Sequence, residues 1–315
     1  MKLFKQQNIA LGSDAIITLI SSEPTAYIDA LFSSIWQRIY AFEKQFSRFL
    51  PTSELSMFNH SAGTKMPASE AFIEILKCAR DLSIQTGGLF NPFVLPALQR
   101  AGYTQSFVKG AETDVHEDHS HERVVSIDHL ELGSDWVRIP YGTSIELGGC
   151  GKGYLADRLS EYIGTKVSGY SISLGGDILC RGHDDNGANF SVVIQKALQH
   201  SEDIVGEIIM PAKPYAVASS GTYLRRGSEK GKAWHHIIDP RTQKPADSDL
   251  VLATICHEKA VYADVLASCS VILGYSSSIP FLKKFDVSDA LFQLGSNEQL
   301  GEIKQFGKKI RLLEK

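Results

Sequence analysis

No run of apolar residues in this chain is long enough to span a bilayer, which excludes a transmembrane helix. Positive charge is not in surplus either: 32 Lys and Arg against 36 Asp and Glu leave a formal net charge of −4. A broad basic surface that could neutralise a nucleic-acid backbone is therefore missing, and nucleic acid is not an expected partner. Cysteine is scarce and unpatterned. The five cysteines, Cys78, Cys150, Cys180, Cys256 and Cys269, are odd in number and form no Cys-x-x-Cys, so free buried thiols in a reducing compartment are expected. The first ten residues carry two lysines but no apolar run and no small-residue cleavage site. A cytoplasmic location is the expectation, an exported one only if the chain is a trimmed form. Internal repeats, low-complexity tracts and flexible linkers are also missing.

What is present is ordinary for a water-soluble globular protein: 315 residues, 43% hydrophobic and 22% charged. That length suffices for one large domain or two intimately packed ones. Residues 8–20 read as a strand interrupted near Gly12. Ile28, Leu31, Ile35, Ile39, Phe42 and Phe46 recur at three- and four-residue steps, predicting an amphipathic helix over 25–47. A second helix is expected over 68–86, stopped by Gly87-Gly88, and Pro92 and Pro96 flank a short helical segment. Residues 110–123 hold His116, His119 and His121 among acids without apolar periodicity, which reads as a solvated loop. Strands are expected around 123–127, 136–139 and 143–147, then a helix from about 151 to 164, a strand-rich stretch over 170–226, a helix over 260–273, and short strands near 289–294 and 308–312. This order suits an α+β fold, a single large domain over 1–315 of interleaved mixed-sheet and helix subdomains.

The most telling stretch is Glu146-Leu-Gly-Gly-Cys-Gly-Lys-Gly-Tyr-Leu-Ala-Asp157. Its glycines permit a sharp turn and close approach to a ligand, and the amides opening a helix beside Lys152 suit an anion such as a pyrophosphate. It is neither a Walker loop, which needs glycine at 146 and Ser or Thr at 153, nor a dinucleotide fingerprint, which needs glycine at 154. Asp264 and Ser268 stand four apart on one helix face, a carboxylate and a hydroxyl suited to a hard cation, or an ordinary helix surface. Trp234-His-His-Ile-Ile-Asp-Pro-Arg-Thr-Gln-Lys-Pro245 offers histidines at a strand end, for acid–base work or for packing. Gly175-Gly176-Asp177 and Ser219-Ser-Gly-Thr-Tyr223 each read as turns. Ser53 is a helix cap before Glu54. Phe49 and Phe90, the latter in Thr86-Gly-Gly-Leu-Phe-Asn-Pro92, are suited to stacking on a flat heterocycle or to core packing.

Taken in order, these segments resemble the ApbE family of FAD:protein FMN transferases, whose usual signatures are S-x-Y/F-x-P-x-S-E-L-S-x-x-N, T-G-G-x-F-D-P, D-L-G-G-I-A-K-G-Y-x-x-D, N-L-G-G-D, T-S-G-x-Y, H-I-I-D-P-x-T-G-x-P and A-D-A-L-A-T. The resemblance runs from about Leu11 to Gly274. It implies an enzyme that binds FAD and Mg²⁺ and moves the FMN half onto a Thr or Ser hydroxyl of a target flavoprotein, releasing AMP. The resemblance further implies metal ligation by the Gly149 carbonyl, Asp264 and Ser268. FAD contacts would come from Leu11, Phe49, Leu89, Phe90, Asn91, Glu146, Lys152 and Ile237, and chemistry near the phosphates from His236. Asp264 or His236 could serve as base. The partner would carry an Asp-Gly-x-Thr-x-Thr-like acceptor motif, which this chain itself lacks.

Several positions depart from those signatures. Glu146 stands for Asp, Ser268 for Thr, Asn91 for Asp, Gly151 for Ala, Ser173 for Asn and Gln243 for Gly. None deletes a metal ligand. Two other readings keep part of the site: a FAD pyrophosphatase giving FMN and AMP, with water as acceptor, and a non-catalytic flavin-binding protein.

Overall fold

A computed structural model describes residues 1–103, 124–197, 203–223, 226–229, 232–295 and 300–313, with no side chains described for 226–229 and 232–234. The histidine-rich segment at 116–121 lies outside the described residues. The chain folds as two compact units, each assembled from segments distant in sequence: Met1–Ala41, Lys152–Tyr223 and Ser248–Lys315 form the first, Phe42–Gly151 and Leu224–Asp247 the second.

The first unit is built on an eight-stranded antiparallel sheet. Its strands run in the order Lys2–Ala10, Ser13–Ser21, Gly169–Leu174, Asp177–Arg181, Tyr215–Gly221, Leu250–His257, Asp289–Gly295 and Leu300–Phe306. A smaller sheet joins Ile310–Leu312, Ile204–Ile209 and Ser191–Gln195. The expected strand over 8–20 is in fact two strands of a hairpin. Leu11 and Gly12 both take left-handed backbone (φ 56° and 68°), the geometry of a two-residue primed turn that reverses the chain. Helix Thr25–Phe46 starts in this unit, and Ile28, Leu31, Ile35 and Ile39 of its predicted stripe are buried. Helix Ala260–Leu273 packs on the Tyr215–Gly221 and Leu250–His257 strands, with Ala263 and Ala267 fully buried. Small side chains there let the helix lie close to the sheet.

The second unit is helical with short β-pairs: helices Glu54–His60, Glu70–Gln85 and Leu95–Arg100, and hairpins Arg226–Glu229/Lys232–His235 and Ile238–Asp239/Lys244–Pro245. Ser53 and Ser69 cap the first two helices by accepting the amides of Ser56 and Phe72. Two expected strands are not strands. Ser126 instead caps a 3-10 turn at Ile127–His129, its hydroxyl accepting the Asp128 amide. Around 143–147 the backbone is bonded by a side chain in place of a neighbouring strand: Asn59 both donates to the Ile145 carbonyl (3.0 Å) and accepts its amide (2.9 Å). The Glu146 amide then donates to the Pro92 carbonyl at 2.8 Å.

Candidate active site

In the first unit, strand register brings three sequence-distant motifs to one end of the sheet. Ala10 pairs with Ser13 across the Leu11–Gly12 turn, Ala15 with Leu174, and Leu174 with Asp177 across the Gly175–Gly176 turn. Val217 pairs with Ile178, which sets Ser219 beside Asp177: the Ser219 amide donates to Asp177 Oδ1 at 3.1 Å. Both Gly175 and Gly176 have left-handed backbone (φ 66° and 97°), so the hairpin turn needs glycine. Lys152 Nζ lies 3.4 Å from Asp177 Oδ2, and this pair is mostly buried.

Helix Gly151–Ile163 supplies Lys152 in its first turn and presses on the Ala260–Leu273 helix. A β-carbon at Gly153 would stand 2.6 Å from the Ala260 carbonyl oxygen and 2.6 Å from Val261 Cα, so only glycine permits the approach. Two carboxylates join the helices. Asp264, 5% exposed, accepts the Gly153 amide at 3.2 Å. Asp157 accepts the Ala260 and Val261 amides at 2.8 and 3.0 Å, capping a helix whose own Lys259 gives no side-chain cap. Burial raises the proton affinity of Asp157, against the lowering effect of those amides. One turn beyond Asp264, the Ser268 hydroxyl is 2.8 Å from that of Ser220, and Ser219 and Thr254 form a second hydroxyl pair at 2.8 Å.

The donor set at Asp264 and Ser268 is hard, oxygen-only and on one helix face. It fits a small divalent cation that keeps waters in its shell. Among the described residues, no group of three or more His, Cys, Asp and Glu is placed to hold a metal, so a soft or imidazole-rich centre has no counterpart there.

In the second unit, Glu146 accepts the Gly148 amide through Oε1 at 2.6 Å and forms an ion pair with Arg48 through Oε2. The Arg48 guanidinium lies over the Phe49 ring (4.1 Å) and the Tyr103 ring (4.8 Å), and donates to the Tyr103 carbonyl at 2.9 Å. Phe90 is buried beside the glycine turn: a β-carbon at Gly149 would touch its ring at 3.4 Å. Its amide donates to Thr86 Oγ1, which itself donates to the Leu82 carbonyl, so the Thr-Gly-Gly turn is anchored to the preceding helix. Leu89 is half-buried on that turn. The Asn91 side chain serves the backbone, donating to the Val125 carbonyl (2.9 Å) and accepting the Phe93 amide (3.0 Å).

The two adjacent histidines have different surroundings. His235 is buried; its Nε2 donates to the Ala246 carbonyl (2.9 Å) and its Nδ1 accepts the Ile237 amide (3.3 Å), which is a neutral ring by construction. Burial accordingly lowers its proton affinity. His236 is half-buried, its ring centroid 6.3 Å from that of Tyr103, and Ile237 beside it is buried. Asp239 is pushed up by burial, yet the Arg241 side chain and amide outweigh this and hold it below the usual carboxylate range. None of the five cysteines, all of them among the described residues, forms a disulfide; burial pushes the Cys180 thiol up to about 11, far from a thiolate nucleophile.

Of the sequence-predicted site residues, Leu11, Lys152, Asp264 and Ser268 lie in the first unit, and Phe49, Leu89, Phe90, Asn91, Glu146, Gly149, His236 and Ile237 in the second. Arg48, Asp177 and Ser220, which the sequence reading did not single out as site residues, contact Glu146, Lys152 and Ser268 respectively. Gly-Gly-Asp read as a turn, and Arg48 falls at the variable position of its signature, so only the geometry reveals their contacts.

The architecture is that of known flavinyl transferases. The ApbE protein of Thermotoga maritima superposes with a TM-score of 0.83 at 21% identity, covering 97% of each chain. The flavinyl transferase ApbE of Pseudomonas stutzeri gives 0.80 at 18% identity, over 97% of this chain and 95% of that one. At sequence level the ApbE family model matches residues 11–292, and the chain belongs to the ApbE family. Among its relatives, a FAD:protein FMN transferase of Klebsiella pneumoniae is 25% identical over 296 residues, covering 92% of this chain and 89% of the relative. One from Treponema pallidum is 26% identical over 313 residues, covering 92% and 84%.

Proposed function

We propose that this chain transfers the FMN half of FAD to a Thr or Ser hydroxyl of a target flavoprotein and releases AMP; relatives named FAD:protein FMN transferases support the transfer of FMN from FAD to a protein. The observation that carries this reading is the pairing of a buried carboxylate, Asp264, with the first turn of the glycine helix, one turn from the Ser268 hydroxyl. Mg²⁺ is the proposed cation, held by Asp264, Ser268 and the Gly149 carbonyl; when bound it would offset negative charge on the diphosphate. Lys152, steadied by Asp177, adds a fixed positive charge for the same diphosphate. Phe49, Leu89, Phe90 and Ile237 provide apolar surface for the flavin, with Leu11, Glu146 and Asn91 shaping the turns around it.

In the transfer, the acceptor hydroxyl oxygen forms a bond to the FMN phosphorus while the bond from that phosphorus to the bridging oxygen breaks. AMP departs with the bridging oxygen, and His236 takes the hydroxyl proton. His236 is preferred over Asp264 because Asp264 already accepts the Gly153 amide and would be engaged by the cation when it is bound. The target carries an Asp-Gly-x-Thr-x-Thr-like acceptor segment, and the cytoplasm is the proposed compartment. No helix among the described residues is long and apolar enough to cross a membrane.

The test is to mix the chain with FAD, Mg²⁺ and a peptide carrying Asp-Gly-x-Thr-x-Thr. A peptide mass gain of one FMN with stoichiometric AMP is expected. AMP release without labelling would point to hydrolysis instead, and FAD binding without AMP to a carrier.

A further inference from the structure

Glu146 stands where the resembled signature has Asp, and the structure gives that longer carboxylate a partner. Arg48 Nε and Glu146 Oε2 are both buried and face each other as an ion pair, and among the described residues neither atom makes a hydrogen bond. The arginine side chain is 6% exposed and the glutamate 14%. The second oxygen of Glu146 holds the Gly148 amide at 2.6 Å, inside the glycine turn. The other faces of the guanidinium are also occupied: Phe49 at 4.1 Å, Tyr103 at 4.8 Å, and the Tyr103 carbonyl at 2.9 Å. One buried cation therefore braces a proposed flavin-contacting ring on one side and the turn that carries Gly149 on the other.

We infer that Arg48 is a positioning residue for flavin-nucleotide binding, acting through Glu146 on the Gly148–Gly149 turn, and that it sets the requirement for glutamate at 146. The inference rests on the flavin-transfer reading. Its physical basis is that a buried charge stripped of its partner is costly, whereas the pair together is self-contained. Shortening the carboxylate by one methylene would withdraw it from Arg48, from the Gly148 amide, or from both. Glu146→Asp, although it restores the residue usual in the resembled signature, should therefore harm this chain.

The experiment measures FAD affinity by quenching of flavin fluorescence without Mg²⁺ or acceptor, alongside KM and kcat for AMP release. Arg48→Met and Glu146→Asp should each weaken FAD binding about tenfold or more, with KM rising in step and kcat moving less than about threefold. The double variant should be no weaker than Arg48→Met alone, because both changes break one unit. Multiplicative effects, or unchanged FAD affinity with only a lower melting temperature, would overturn the inference. If Arg48→Met does not fold, Arg48→Gln replaces it in the same comparison. A wild-type chain that binds no FAD would sink the flavin-transfer reading itself; wild-type binding with unaffected variants would sink only this inference.

Discussion

The Gly153 amide donates to Asp264 Oδ2 at 3.2 Å, tying the first turn of one helix to a buried carboxylate on the second turn of another. Asp264 thus has a structural duty as well as the proposed one of holding a cation, and the two can be separated. Asp264→Asn keeps an oxygen for the Gly153 amide and removes the charge. Its stability should fall by no more than about 1 kcal/mol, while Mg²⁺-dependent AMP release drops by roughly 100-fold or more. Chemical denaturation and an AMP assay check the two halves, and wild-type turnover in Asp264→Asn would refute the ligand assignment.

Gly153→Ala reverses the usual helix rule. At an exposed helical site, alanine in place of glycine stabilises by about 1 kcal/mol. Here the new methyl would meet backbone of the Ala260–Leu273 helix at 2.6 Å, and backbone cannot swing away. The expected result is destabilisation by about 1–3 kcal/mol, read from urea unfolding, with a loss of activity as Asp264 and Ser268 shift. A variant more stable than the parent would show that the helices separate freely.

Acid should weaken the fold through His235. Burial holds its folded proton affinity below the ordinary value of 6.5, so the unfolded chain takes up a proton first as pH falls. Stability is therefore retained above about 6.5 and declines below it. His257, lowered by burial in the same direction, adds to the slope. Calorimetric melting between pH 7.5 and 5.5 (roughly one unit either side of the ordinary histidine value) should show a smaller decline for His235→Gln than for the parent. Identical profiles would place the acid sensitivity elsewhere.

Much of the secondary structure was legible because local rules carry it. The helices at Thr25–Phe46, Glu70–Gln85, Gly151–Ile163 and Ala260–Leu273 lie where periodicity, caps and glycine stops put them. Other elements escaped for physical reasons. Leu250–His257 is buried along nearly its whole length as an interior strand and lacks the alternation that marks a half-exposed one. Helix Tyr275–Lys283 carries Pro280 inside, normally a break signal. Around 143–147 the extended backbone finds its partner in Asn59, a contact across 86 positions of sequence that no local pattern announces.

By itself, the order of residues determined the family, the glycine turn before Lys152, and the single helix face shared by Asp264 and Ser268, because each is a matter of residue type and short-range spacing. Only the tertiary structure decided that His235 is locked and neutral while His236 stays half-exposed, that Asp177 holds Lys152, and that Arg48 spans Phe49 and Glu146. Those outcomes depend on burial and on which distant side chains meet, and neither is written in a local stretch of chain.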